Sequence, residues 1–200
     1  MDLADRETAL HAMHPRFDER VFAAEELLWL RGNGAAGRWM LWAAKESAYK
    51  AAKKLDPQTI FAPRRLLVRL DDGSAGTVRL GDRMFSVRVR LDGDVCHAVA
   101  WGDPARSPLV VSGVRQLTAR EAAPRHAARR FVIESLAVAL GVPASELELV
   151  KDDRVPRLRL HGRPAGLDVS LSHHGRFVAF ACSLGRMHGQ GGAATNGSET

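Results

Sequence analysis

Along the chain, apolar positions recur first with a helical period and then with a period of two, and the same order returns in the second half. Residues 5–13 are helix-compatible and are interrupted by His14-Pro15, and residues 16–31 read as a further helix. The run RGNGAAG reads as a glycine-rich loop, and residues 38–55 form a strong helical pattern stopped by Asp56-Pro57. The segments RRLLVRL, GTVRL, FSVRVRL and VCHAVAW then alternate, separated by DDG, GD and DGD, which predicts an antiparallel meander. Beyond a Pro/Ser-containing connection over 104–113, a second long helix is predicted over 118–140, closed by Gly141 and Pro143. Strand patterns return at LELVKD, RLRLHG, DVSLSHH and RFVAFACS. From Met187 onward the composition is rich in Gly, Ala, Ser and Thr, as in a disordered tail.

The two halves match in detail. Each long helix carries Glu-Ser near its middle, at Glu46-Ser47 and Glu134-Ser135. VRVRLDGDVCHAVAW and VSLSHHGRFVAFACS are both a strand, a glycine turn and an apolar strand. Two such correspondences in the same order predict a duplicated unit. The expected fold is therefore α+β, with two pseudo-repeated lobes, each a long helix on a small antiparallel sheet. The expected boundaries are 1–103 for the first lobe, 104–186 for the second and 187–200 for the tail.

Composition narrows the function classes. The formal net charge is +6 with a pI near 10.0, which suits an anionic partner such as a phosphorylated metabolite, an acidic protein or nucleic acid. Nucleic acid is disfavoured because there is no aromatic RNA-binding signature, GXXG clamp or zinc spacing, and aromatics make up only 6%. Cys96 and Cys182 lie in apolar runs without metal spacing and read as buried free thiols. The acidic start lacks the regions of a signal peptide, and no apolar run approaches the roughly 20 residues that span a bilayer. A cytoplasmic protein without a membrane segment is expected.

The distribution of lysine is uneven. Of 29 cationic side chains only five are lysines, and four of these, Lys45, Lys50, Lys53 and Lys54, fall within WAAKESAYKAAKK around the single acid Glu46. On a helix, Leu41, Ala44, Ala48, Ala51 and Leu55 form an apolar stripe, while Glu46, Lys50 and Lys53 share another. The plainest account is a solvated face with a Glu–Lys pair worth about 0.3–0.5 kcal/mol. Arginine would serve such a face equally well. A concentration of compact ammonium groups points instead to an anion site. One carboxylate among cations beside phosphates suits Mg²⁺.

Trp42, Lys45, Glu46, Ser47 and Lys50, as W-x-x-K-E-S-x-x-K, resemble the signature of 4′-phosphopantetheinyl transferases. HPRFDERVF followed by Glu25-Glu26, and SLSHH followed by RFVAFA, resemble two further segments of that family. The resemblance implies transfer of 4′-phosphopantetheine from coenzyme A to a serine of an apo acyl or peptidyl carrier protein, with Mg²⁺, releasing 3′,5′-ADP. It implies that Glu46 is a metal ligand and candidate base, and that Lys50 steadies the phosphates with support from Lys45. Ser172 and His173 would touch the nucleotide phosphates, with Arg16 and Arg64 as weaker phosphate contacts.

Two features depart from the family pattern. The Ser-His strand follows the K-E-S helix, as in the single-lobed members, whereas in the two-lobed members it comes before. The N-terminal Gly-x-Asp motif is not intact, so Asp2 is expected to stand as its second acid and as a further metal ligand. The alternatives are a catalytically impaired member that binds a carrier protein, and a basic nucleic-acid-binding module.

Overall fold

The computed structural model describes residues 2–5, 14, 16–102, 108–118, 123–152 and 155–184, of which 2–5 are described by backbone alone. Its strands form two five-stranded antiparallel sheets. In the first, β2 (Leu66–Leu70), β3 (Ala75–Leu80), β4 (Arg83–Asp92) and β5 (Val95–Trp101) make a meander, and β1 (Asp2–Asp5) lies along β5. In the second, β7 (Leu147–Asp152), β8 (Val155–Leu160), β9 (Arg163–His174) and β10 (Phe177–Ser183) make the meander, and β6 (Val110–Gln116) lies along β10. The strand orders, β1-β5-β4-β3-β2 and β6-β10-β9-β8-β7, are the same arrangement twice. A long helix separates the outer strand from the meander in each case. The α+β fold with two repeated lobes is thus observed.

Among the described residues three α-helices accompany the sheets: α1 (Phe17–Val21), α2 (Ala24–Leu55) and α3 (Pro124–Leu140). The expected glycine-rich loop is absorbed into α2, where only Gly34 leaves helical geometry, at φ 55° and ψ −147°. That conformation is open to glycine and strained for residues with a Cβ. Helix α3 starts at Pro124 rather than at residue 118, because proline suits a first helical turn and Leu117–Thr118 are not helical. Of the helix expected over 5–13, Asp5 is in β1 and residues 6–13 lie outside the described residues. The tail expected at 187–200 lies outside them too.

In the first lobe, Leu41, Ala44, Ala48 and Ala52 of α2 pack on Leu66, Val78, Phe85, Val87 and Val89. Leu55, expected in this stripe, is 65% exposed, and Ala52 takes the inward position in place of Ala51. In the second lobe, Val132, Leu136 and Ala137 of α3 pack on Leu147, Leu149, Leu158, Val169 and Phe180. Glycine stands at position 113 within β6 because a Cβ there would lie 2.9 Å from Phe180 Cε1 and 3.0 Å from Phe131 Cζ. These two rings meet edge to face with centroids 5.3 Å apart.

The lobes meet through small residues. Ala179 and Ala181 of β10 face Val95 and Val99 of β5, while Phe180 and Cys182 on the other side of β10 face α3. Strand β10 is buried on both faces, which is why its sequence reads as an unbroken apolar run. Among the described residues no helix is long and apolar enough to cross a membrane.

Both cysteines are fully buried, and neither is in a disulfide. Burial, reinforced by the Asp168 carboxylate, pushes the Cys182 thiol up to about 11. A raised thiol pKa means that the unfolded chain ionises first. The associated stability is complete below the ordinary thiol range near 9.0 and is lost as pH rises toward about 11. A thiol-reactive chromophore at pH 8 is expected to leave both cysteines of the native protein unlabelled for hours and to label two per chain in guanidinium. Fast labelling without denaturant would refute the buried placement.

Candidate active site

Successive residues of an α-helix point about 100° apart, so the three letters of K-E-S cannot share a face. In α2 each looks in its own direction. Ser47 is buried and donates to the Ala44 carbonyl at 2.9 Å. Lys45 points into the first lobe, fully buried, with Nζ 2.7 Å from Glu26 Oε2 and further bonds to the carbonyls of Pro63 and Leu66. Burial lowers the Lys45 pKa from the ordinary lysine range, and the Glu26 charge opposes that shift. Lys45 is thus turned away from the position expected for it beside the phosphates. It ties helix to sheet, because a residue preceding Glu46 by one must leave the face that Glu46 occupies.

Glu46 shares its face with Trp42 and Lys50, four residues to either side. These three side chains and the β9 segment Leu171, Ser172, His173 and His174 line one cleft of about 310 Å³. Residues more than a hundred positions apart in sequence therefore meet across the seam between the lobes. Lys50 Nζ reaches Ser172 Oγ at 3.5 Å. Strand alternation puts Asp168, Ser170, Ser172 and His174 on the β9 face toward α2, and Val169 and Leu171 on the face toward α3. His173 belongs by register to the second set and is exposed at the strand end, where it borders the cleft. His174, the second histidine of SLSHH, shares the Ser172 face.

The other candidates stand farther out. Arg16 is exposed and pairs with Glu19 at 2.8 Å, and Arg64 is exposed on a one-turn 3-10 helix, Pro63–Arg65. Neither lines the cleft. Each is close in sequence to an aromatic residue packed on Trp42: Phe17 follows Arg16, with ring centroids 5.2 Å apart, and Phe61 precedes Arg64, at 5.7 Å. Asp2 lies on β1 opposite Ala98. That strand runs against both α2 and β9, the two elements that supply the cleft.

The four clustered lysines have four separate placements. Lys45 is the buried tie and Lys50 enters the cleft. Lys53 donates to the carbonyls of Pro57 and Thr59, both at 3.2 Å, and so secures the end of α2. Lys54 crosses to β9, where it bonds Asp168, Val169 and Ser170. Nothing in the spacing of the lysines announced these separate roles.

The family model for the 4′-phosphopantetheinyl transferase superfamily matches residues 1–100. The chain belongs to this superfamily. No curated protein and no solved structure matches it. The match covers the first lobe and all of α2. As a superfamily member the protein brings its helix signature, Trp42, Glu46 and Lys50, to a cleft whose opposite wall comes from β9, beyond the matched segment.

Proposed function

We propose that this superfamily member transfers 4′-phosphopantetheine from coenzyme A to a serine hydroxyl of an apo acyl or peptidyl carrier protein, with 3′,5′-ADP as the leaving product. The observation that carries this reading is the cleft itself, where one carboxylate, one ammonium, a hydroxyl and two imidazoles converge from α2 and β9. The working units are the two lobes, divided near residue 103.

On this reading Lys50, Ser172 and the two histidines bind the phosphates of coenzyme A. The carrier serine oxygen attacks the phosphorus that bears the pantetheine arm, and the bond from that phosphorus to the 3′,5′-ADP oxygen breaks. Glu46 accepts the serine proton, directly or through water. Trp42 and Leu171 wall the cleft and limit competing attack by water.

The donor set suits Mg²⁺. Glu46 offers a hard carboxylate oxygen, and among the described residues no three His, Cys, Asp or Glu side chains form a cluster able to hold a metal. One or two carboxylates completed by phosphate oxygens and water are the usual surroundings of this ion. Glu46, with Asp2 as a second acid, would hold it. When bound, Mg²⁺ offsets the charge on the transferring phosphoryl group.

The test is turnover with an apo carrier protein, Mg²⁺ and coenzyme A labelled in the pantetheine arm. Label on the carrier with stoichiometric 3′,5′-ADP is the expected result. Binding of coenzyme A without transfer would identify a non-catalytic member, and absence of both would overturn the reading.

Within that assay, His173→Ala is expected to raise the KM for coenzyme A about tenfold. The penalty should be smaller for dephospho-coenzyme A if His173 meets the 3′-phosphate. Equal penalties would make His173 structural, and the same pair of substrates applied to His174→Ala then decides which imidazole meets that group.

A further inference from the structure

Lys54 lies outside the signature and outside the cleft lining, yet its ammonium is fully engaged by the second lobe. It donates to Asp168 Oδ1 at 2.6 Å, to the Val169 carbonyl at 2.9 Å and to Ser170 Oγ at 2.9 Å. A lysine ammonium has three N–H donors, so the set is complete. Three acceptors, a carboxylate, a carbonyl and a hydroxyl, gathered within 2.9 Å of one nitrogen suit a compact ammonium better than the planar fork of arginine.

The placement has a metric consequence. Lys54 follows Lys50 by four residues on α2, a rise of about 6 Å. Ser170 precedes Ser172 by two residues on the same face of β9, a step of about 6.6 Å. The two spacings nearly coincide, so helix and strand form a two-rung ladder: Lys54 meets Ser170, and Lys50 meets Ser172 at 3.5 Å. The lower rung is tight and the upper one, at the cleft, is long. Beside the lower rung is a cavity of about 180 Å³ bordered by Leu55, Trp101, Ser170 and Ala181. Lys54 and Asp168 also line it, so polar contacts bridge that stretch of the seam.

We propose that Lys54 is a positioning residue: by clasping β9 to α2 it sets Ser172 and the adjoining histidines at their working distance from Glu46 and Lys50. The proposal rests on the coenzyme A reading above for its kinetic consequence and on the seam geometry alone for its structural one. Asp168 is the most exposed of the three acceptors, its side chain 61% accessible. The ion pair is therefore secondary to the bonds with Val169 and Ser170.

The experiment compares full-length wild type, Lys54→Met, Lys54→Arg, Ser172→Ala and the Lys54→Met/Ser172→Ala double variant. Lys54→Met is expected to raise the KM for coenzyme A about tenfold, to change kcat by no more than about twofold, and to leave the KM for the carrier protein unchanged. Lys54→Arg is expected to recover only part of this loss. In the Ser172→Ala background, Lys54→Met should add clearly less than its roughly tenfold effect in the wild type, because one of the groups that the clasp positions is already gone and only the histidines remain to be misplaced. Effects that simply multiply, or an unchanged KM, would overturn the proposal.

A second, ligand-free measurement is amide hydrogen exchange. Residues 168–174 of β9 should exchange faster in Lys54→Met while β7 and β8 keep wild-type protection. Unchanged protection over 168–174 overturns the clasp. If the wild type neither binds nor processes coenzyme A, the proposed function fails, and the exchange result alone decides whether Lys54 holds β9.

Discussion

Glu46→Gln is expected to lower turnover about a thousandfold, a barrier increase of about 4 kcal/mol, while the fold remains intact. The substitution keeps shape and half-buried packing and removes the negative charge on which the proposed metal binding and proton acceptance both depend. The protein carries its own control in Glu134, the counterpart on α3, whose side chain is 56% exposed and 3.8 Å from Arg130. Glu134→Gln should leave turnover unchanged and shift stability by no more than about 0.5 kcal/mol. Steady-state kinetics of the two variants, beside their denaturant midpoints, make the comparison. A Glu46→Gln enzyme with near wild-type turnover would remove Glu46 from the chemistry, whatever the family signature implies.

The largest loss of stability is expected from the buried pair behind that face. Glu26 Oε2 accepts from Lys45 Nζ and from the Ala23 N–H, both at 2.7 Å, and Oε1 accepts from the Val68 N–H at 2.8 Å. One carboxylate thus joins the start of α2, its middle and β2. Lys45→Met leaves that carboxylate buried without its cation, which costs about 3–5 kcal/mol. Glu26→Gln removes the partner of a fully buried ammonium and should cost a similar amount. The double variant should be destabilised by clearly less than the sum, because each change removes the reason for the other's penalty. Urea midpoints of the four proteins measure this. Strict additivity, or a loss below about 1 kcal/mol for Lys45→Met, would show that the pair does not hold helix to sheet.

The meanders were legible because each has turn residues between alternating runs, and the two long helices because their apolar positions keep a helical spacing; the helix expected over 16–31 is instead broken at Phe22–Ala23. The two strands that were not foreseen, β1 and β6, are the outer strands of their sheets. DLAD is too short to show alternation, and VVSGVRQ is broken by Gly113, whose place is set by Phe131 and Phe180, distant in sequence. The break at Gly34 read as a loop because glycines cluster there. A single positive φ suffices to bend the chain, and the flanking residues stay helical.

The site was legible in part. Glu46, Lys50 and the Ser172-His173 strand do line one cleft. The inward turn of Lys45 follows from helical geometry that a linear motif does not display. The Lys54 contacts could not be read at all, since they depend on how two lobes meet. One signal for β9 was available: Ser170, Ser172 and His174 fall at alternate positions, which already marks them as one face.

The repeated strand order has a further consequence. Superposing the repeats through their glycine turns, Gly93 and Gly175, which share φ near 50°, pairs Arg90, Leu91 and Asp92 with Ser172, His173 and His174. Pairing the two Glu-Ser steps sets Val138, 85% exposed, opposite Lys50. The chain is therefore built like a heterodimer fused end to end, with one half-site kept on the helix of the first unit and the other on the strand of the second. The complementary positions, Val138 on the helix and Arg90, Leu91 and Asp92 on the strand, carry no ammonium, hydroxyl or imidazole group. Among the described residues one seam carries the full set of these groups, so on the proposed reading coenzyme A is expected to bind once per chain despite two copies of the architecture.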